Sequence, residues 1–240
     1  MSEPRVENVW AVLPAAGAGR RMNAPRPKQY LTVAGRPVIE WALQRILAAE
    51  FVSGAIVVIA PDDPFWREFG FRLPKPVYTV AGGGERFQSV ANGLRELRRI
   101  AGEDAWALVH DAVRPCVTAT ELTRLYAAVS DAAPDGALLA LPVRDTLKQA
   151  GVGRRTERTV DRSDLWQALT PQLFPLRALL PALEAVLQTG EDVTDEAQAM
   201  ELAGYAPALV PGAATNIKLT HPEDLALLSL LLKEAEATLP

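Results

Sequence analysis

The chain has 240 residues, 49% hydrophobic and 22% charged, with a formal net charge of −4, a balance that fits a single soluble domain over residues 1–240 with a full core. Mild acidity excludes a general nucleic-acid surface, which needs a basic face, so any polyanionic partner is small and locally held. The lone cysteine, Cys116, excludes an intramolecular disulfide, no Cys/His spacing suits zinc, and the short charged N-terminus and short apolar runs predict neither export nor membrane insertion, leaving a reducing cytoplasm as the expected compartment.

In chain order, an apolar strand at 9–13 runs into Pro14-Ala15-Ala16-Gly17-Ala18-Gly19-Arg20-Arg21-Met22, followed by Pro27-Lys28-Gln29-Tyr30. Small residues let backbone N–H groups approach phosphate oxygens, and Arg20, Arg21 and Lys28 supply compensating charge, so the loop reads as a nucleoside triphosphate cradle. It is not a Walker loop, because no Lys-Ser/Thr follows the second glycine. Nor is it a dinucleotide fingerprint, since Met22 occupies the place of the third small residue.

Apolar periodicity then predicts a helix over 38–47, strands at 55–60 and 77–80, a helix over 85–97, a strand at 106–109, a helix over 118–129 and a strand at 136–141. Thr118 and Glu121 form the N-terminal signature of the third helix. This alternation predicts an α/β fold of Rossmann-like type, with a mainly parallel twisted sheet flanked by helices. Ligands of such sheets gather beyond the carboxyl ends of strands. There lie the cradle, Gly82-Gly83-Gly84-Glu85-Arg86 and His110-Asp111-Ala112-Val113-Arg114-Pro115.

Asp111 ends an apolar strand, where a carboxylate is costly unless paired. Beside a phosphate cradle it is a candidate Mg²⁺ ligand, and equally a capping residue or a partner of Arg114. Arg114 is a candidate for a further phosphate. His110 at a strand end reads as a packed, hydrogen-bonded ring rather than a base, and Cys116 as an inert thiol. The glycine loop with Ser89 one helical turn beyond it is either a base-reading loop or a sharp turn. Residues 142–172 predict a projecting β-arm, too poor in core contacts to stand alone, which is either completed by a partner subunit or a mobile hairpin. Near the C-terminus Thr220 predicts a helix cap, and Lys218 before it is a solvated charge or a third phosphate cation.

Together, Pro14-Ala15-Ala16-Gly17-x-Gly19-x-Arg21-Met22, Pro27-Lys28-Gln29-Tyr30, Gly83-x-Glu85-Arg86, His110-Asp111-Ala112-x-Arg114-Pro115, Thr159-x-Asp161-Arg162, Thr170-Pro171-Gln172, Thr194-Asp195-Glu196-Ala197 and Asn216-Ile217-Lys218 closely resemble the 2-C-methyl-D-erythritol 4-phosphate cytidylyltransferase family. The resemblance implies a homodimer that uses CTP, methylerythritol phosphate and a divalent cation such as Mg²⁺. By motif it implies that Arg21, Lys28 and Lys218 act on the triphosphate, and that Pro14, Ala15, Ala16, Gly17, Gly19, Gly83 and Ser89 hold the nucleotide. It assigns Asp111 to ribose and metal. Arg114 and Thr194 of one subunit, with Thr146 and Arg162 from the arm of the other, would hold the acceptor. Val113 stands where the family usually has a second Ala, and Gly84 where a polar residue is common. A ribitol 5-phosphate cytidylyltransferase and a non-catalytic nucleotide-binding regulator are the competing readings.

The absence of a Ser/His or Cys/His dyad is expected for this chemistry. A phosphate monoester has a second pKa near 6, so the attacking oxygen is already anionic at neutral pH. What must be overcome is repulsion between two polyanions, and cations do that.

Overall fold

The computed structural model describes residues 6–17, 26–131 and 133–237. The first expected strand is β1 (Val9–Pro14). A 3-10 turn at Lys28–Tyr30 and a short hairpin, β2 (Thr32–Val33) with β3 (Arg36–Pro37), lead into α1 (Val38–Leu47). Then come β4 (Val52–Ile59), β5 (Val77–Ala81), α2 (Arg86–Ala101), β6 (Trp106–Val109), α3 (Ala119–Asp131) and β7 (Ala137–Pro142). The third helix starts as its residues foretell: the Thr118 hydroxyl accepts the Glu121 N–H at 3.2 Å and the Glu121 carboxylate accepts the Thr118 N–H at 2.9 Å, a reciprocal cap.

The arm is shorter than the predicted 142–172. Its ribbon is β8 (Leu147–Ala150) paired antiparallel with β9 (Thr156–Val160). Residues from 166 onward belong to β10 (Trp166–Pro175), which enters the main sheet between β6 and β7 and runs antiparallel to both. Polar residues at 167, 170 and 172 hide this strand from an apolar-run search. Gln172 is nonetheless fully buried, because its amide donates to Asp195 Oδ2 at 3.0 Å and accepts the Ala197 N–H at 2.9 Å, as a buried amide must.

The chain continues through α4 (Leu176–Thr189), α5 (Glu196–Leu202), β11 (Ala208–Pro211) and α6 (Asp224–Ala237). The expected cap of the last helix is replaced. Asp224 Oδ2 accepts the N–H groups of Thr220 and His221 at 2.7 and 2.8 Å, while the Thr220 hydroxyl donates to the Lys218 carbonyl at 3.1 Å. Burial raises the Asp224 pKa, but those N–H groups outweigh it and leave the carboxyl below its ordinary value. A full negative charge at a helix start is a stronger partner for these N–H groups than a hydroxyl.

The seven-stranded sheet has the order β11-β7-β10-β6-β1-β4-β5 and, apart from β10, is parallel. Its central strands are apolar on both faces, which is why they read as continuous runs. Val9, Ala11 and Leu13 of β1 face the core with α1 and α3, and Trp10 and Val12 face the core with α2 and α4. A third cluster packs Leu228 and Leu232 of α6 against Trp41, Val113 and Leu219. Helix α2 lies tightly on the sheet at Gly93, where a Cβ would come within 2.6 Å of Val12 Cγ1. That approach sets the first turn of α2, with Arg86 and Ser89, beside the end of β1. Among the described residues no helix is long and apolar enough to cross a membrane.

Candidate active site

Beyond the carboxyl ends of β1, β5 and β6 the loops enclose a pocket of about 280 Å³. Pro14, Ala15, Ala16 and Gly17 line it from the first loop, and Gly83, Ser89 and Asp111 from the next two. Lys28 and Lys218 complete the wall. The structure thus gathers nine of the predicted nucleotide or catalytic residues at one site, from segments spread along the whole chain. Gly19 and Arg21 lie outside the described residues, as do Arg20 and Met22.

The first loop is held in shape by Gln29. Its side-chain amide donates to the carbonyls of Ala15 at 2.5 Å and Gly17 at 3.3 Å, and the Ala15 N–H donates to Val58 O at 2.7 Å. Tyr30, next to it, is buried and bonded to Asp63 Oδ2 at 2.8 Å. The turn that carries these two residues also presents Lys28, whose Nζ donates to the Leu219 carbonyl at 3.2 Å. The sequence pointed to Lys28 in this motif; the stapling role of Gln29 was not foreseen.

The glycine loop approaches the first loop closely. A Cβ on Gly82 would meet Ala16 Cβ at 2.5 Å and Ser89 Oγ at 2.9 Å, and one on Gly83 would meet Gln88 Cβ at 2.6 Å. Gly84 has ordinary space, its nearest atom being Gln88 Oε1 at 3.5 Å. Ser89 Oγ accepts the Gly83 N–H and donates to the Glu85 carbonyl, both at 3.1 Å. The hydroxyl therefore shapes the loop. Glu85 and Gln88 form a capping box at the start of α2.

Asp111 is the electrostatic centre. Only 5% exposed, it receives Lys218 Nζ on Oδ2 at 2.8 Å, Arg114 Nε on Oδ2 at 3.4 Å and Arg86 Nε on Oδ1 at 3.2 Å. Burial alone would raise its pKa, but Arg86, Lys218 and Arg114 overcome that and hold the carboxyl far below the ordinary value. The carboxyl is therefore held ionised at neutral pH. Asp111 is paired with Arg114, one of its sequence alternatives, and Lys218, for which the sequence offered a solvated charge or a phosphate cation, also points at the carboxylate.

Arg86 was quoted in a motif without a role, and it proves to be the hub. Besides Asp111 it meets Glu196 Oε1 with Nη1 at 2.6 Å and Glu196 Oε2 with Nη2 at 3.1 Å. Burial disfavours its charge, but Glu196 and Asp111 more than compensate, so its pKa is raised. No sequence signal joins residue 86 to residue 196, because the contact depends on the fold bringing the N-terminal ends of α2 and α5 together.

His110 is fully buried and uses both ring nitrogens. Nε2 lies 2.9 Å from the Arg114 carbonyl, which can only accept, so Nε2 carries the proton and Nδ1 accepts from the Thr170 hydroxyl at 3.1 Å. That hydroxyl in turn accepts the Asp111 N–H at 3.0 Å. Burial, offset only in part by the Arg114 carbonyl and Asp111, lowers the His110 pKa to about 4. The ring is a neutral strut, as its position at a strand end predicts. Cys116 is held as a free thiol with its pKa raised by burial to about 11.

The predicted acceptor residues are placed differently. Arg114 is 9% exposed, and its Nη1 donates to the Asn216 carbonyl at 2.7 Å. Thr194 is exposed, with its N–H and hydroxyl both bonded to Gln198 Oε1 at 2.8 and 3.0 Å. It lines a separate depression with Asp164 and Trp166. Thr146 and Arg162 are exposed at the base of the ribbon, and Arg162 Nη1 donates to the Arg144 carbonyl.

A family model described as 2-C-methyl-D-erythritol 4-phosphate cytidylyltransferase matches residues 9–234. A curated protein of that name from Halorhodospira halophila is 53% identical over 232 residues, covering 95% of both chains. Another from Pseudomonas aeruginosa is 50% identical over 217 residues, covering 90% of this chain and 92% of its own. A crystal structure described as 4-diphosphocytidyl-2C-methyl-D-erythritol synthase superposes with a TM-score of 0.81 at 39% identity, covering 94% of this chain and 99% of that one. The enzyme of that family from Thermus thermophilus superposes at 0.75 with 32% identity, covering 94% and 99%. With the ordered motifs and the pocket they build, these matches place the chain in the 2-C-methyl-D-erythritol 4-phosphate cytidylyltransferase family.

Proposed function

We propose that this chain transfers the cytidylyl group of CTP to 2-C-methyl-D-erythritol 4-phosphate, giving 4-diphosphocytidyl-2-C-methyl-D-erythritol and pyrophosphate. The observation that carries this reading is the convergence of Lys28, Lys218 and Asp111 on the small-residue loop in one pocket, in a chain of the cytidylyltransferase family. The loop N–H groups hold the triphosphate, together with Gly19 and Arg21 of the same motif. Gly83 and the loop shaped by Ser89 face the base. Lys28, Lys218 and Arg21 neutralise charge that builds on the α-phosphate and the departing pyrophosphate.

No side chain removes a proton. The acceptor is a phosphate monoester whose second pKa is near 6, and the nearest histidine, His110, is neutral and spent on its own hydrogen bonds. The enzyme's contribution is to hold two anions in line and screen their repulsion.

The donor set suits Mg²⁺. Among the described residues there is no cluster of three or more His, Cys, Asp or Glu side chains, but Mg²⁺ commonly takes one or two carboxylates and completes its shell with phosphate oxygens and water. Asp111, ionised and on the pocket wall, is the residue that would hold it. When bound, the ion supplies charge neutralisation on the phosphates.

Arg114 and Thr194 hold the methylerythritol phosphate, and Thr146 and Arg162 reach it from the arm of a second copy in a homodimer. The exposed ribbon, with Val152 98% exposed near its tip and Leu165 and Trp166 partly exposed at its base, supports a covering subunit. Cys116 kept as a free thiol suits a cytoplasmic enzyme. Pyrophosphate release tests the whole reading. CTP with methylerythritol phosphate should release it, with ribitol 5-phosphate and UTP far poorer; release only with ribitol 5-phosphate, or none with either alcohol, would overturn it.

A further inference from the structure

Arg86 stands between two carboxylates that grip it unequally. Glu196 holds it with one prong on each carboxylate oxygen, at 2.6 and 3.1 Å, whereas Asp111 offers only Oδ1, which Nε and Nη2 both reach at 3.2 Å. Glu196 is fully buried, and its own mounting is rigid. Asp195 caps α5 by accepting the Gln198 N–H at 2.9 Å, and Gln172 from β10 binds both Asp195 Oδ2 at 3.0 Å and the Ala197 N–H at 2.9 Å. The proposed chemistry makes no use of Glu196, although a buried carboxylate is expensive to keep.

We propose that Glu196 is a positioning residue which, by gripping Arg86, holds that guanidinium back from a closer contact with Asp111 and keeps the Asp111 carboxylate set for the nucleotide. This rests on the reading of Asp111 as a nucleotide ligand. Asp111 already carries Lys218 and Arg114 on Oδ2, so its Oδ1 is where additional pairing would matter. Without the Glu196 charge, Arg86 has one carboxylate left and closes on it. The lone pairs that a ribose hydroxyl or a cation needs are then spent on the tightened Arg86 contact. Removing such an outer partner typically costs 10–100-fold in ligand affinity or activity.

Calorimetric titration of CTP, with and without Mg²⁺ and with no acceptor present, reads this directly, because nothing turns over. Glu196→Gln should weaken CTP binding by about tenfold, and Glu196→Asp, which restores the charge one methylene short, should recover part of that loss. Glu184→Gln, which breaks an exposed ion pair with Arg95 at 3.1 Å and removes a carboxylate without touching Arg86, should leave CTP affinity within about twofold, as surface substitutions away from a site do. In an Asp111→Asn background Glu196→Gln should have little further effect, since two residues acting through one contact are not additive. Unchanged affinity in Glu196→Gln, an equal loss in Glu184→Gln, or an undiminished loss in the Asp111→Asn background each overturns the inference. Absence of CTP binding by the wild-type chain would overturn the proposed function as well, which separates the two failures.

Discussion

In the cluster around Asp111, side chains meet from far apart in the chain, with Arg86 and Glu196 separated by 110 residues and Arg114 and the Asn216 carbonyl by 102. In the β8–β9 ribbon the same kinds of residue pair only with the facing strand, Lys148 with Thr159 and Arg158 with Gln149, 11 and 9 residues away. The first group is buried or partly buried and its members are paired with one another; the second is exposed and held by local contacts that solvent can replace. The difference divides labour. The nucleotide half is preorganised within one chain, while the acceptor half of the proposed site leaves its arm residues to be ordered by something else, which under the proposed function is a second copy.

The contrast is broken most severely at Lys28. Lys28→Ala should lower kcat by about 10²-fold or more, on the scale of other preorganised electrostatic contacts, with melting temperature little changed; unchanged turnover would remove Lys28 from the mechanism. Next comes His110, whose neutral ring lies inside the buried region. The unfolded chain takes up a proton near pH 6.5, and the folded one not until about pH 4. The unfolded state therefore binds more protons in that window, and the stability contribution is present above about pH 6.5 and falls as pH drops toward 4, by roughly 3 kcal/mol. Urea unfolding at pH 7.5 and 5 measures it, and His110→Asn should flatten that part of the slope. Asp111 has the opposite chemistry: its pKa is depressed, so its contribution persists down through about pH 4 and is lost only below. Any acid limb in rate near pH 6 should then follow the substrate phosphate.

A pair of glycines sharpens the comparison within the preorganised half. Gly82→Ala drives a Cβ into Ala16 Cβ and Ser89 Oγ and should cost about 1–3 kcal/mol, as overpacking does, raising the KM for CTP. Gly84→Ala meets only an ordinary contact at 3.5 Å and should change stability by no more than about 0.5 kcal/mol. Equal effects at the two positions would mean that the closeness of the two loops is not what shapes the pocket. The gentlest test is Arg162→Ala in the arm. It should raise the KM for methylerythritol phosphate without altering that for CTP or the melting temperature; a matching loss for CTP would show that arm and pocket are not separable.

The central strands and first three long helices were legible because their signals are local. An apolar run buried on both faces, or a 3.6-residue period, is written in neighbouring residues. The loops at the ends of β1, β5 and β6 were legible as chemistry for the same reason, since glycine, alanine and cations must follow a strand to meet phosphate there. The strand β10 was not, because Gln167, Thr170 and Gln172 break its pattern; Gln167 is exposed, and the buried Thr170 and Gln172 become tolerable only when Asp111, Asn216, Asp195 and Ala197 supply their partners. Thr220 looked like a cap from its neighbours, but its hydroxyl turns to the Lys218 carbonyl, and Asp224 instead reaches back to the N–H groups of Thr220 and His221.

The order of residues by itself determined the fold class and the family and pointed to the loops that line the pocket, since each is carried by short motifs whose spacing survives without knowledge of the rest. Only the tertiary structure decided that Gln29 braces the first loop, that Asp111 is shared among three cations, and that Arg86 leans on Glu196. Those contacts join segments tens to more than a hundred residues apart, and buried charges choose partners by distance in space, which a linear chain does not state.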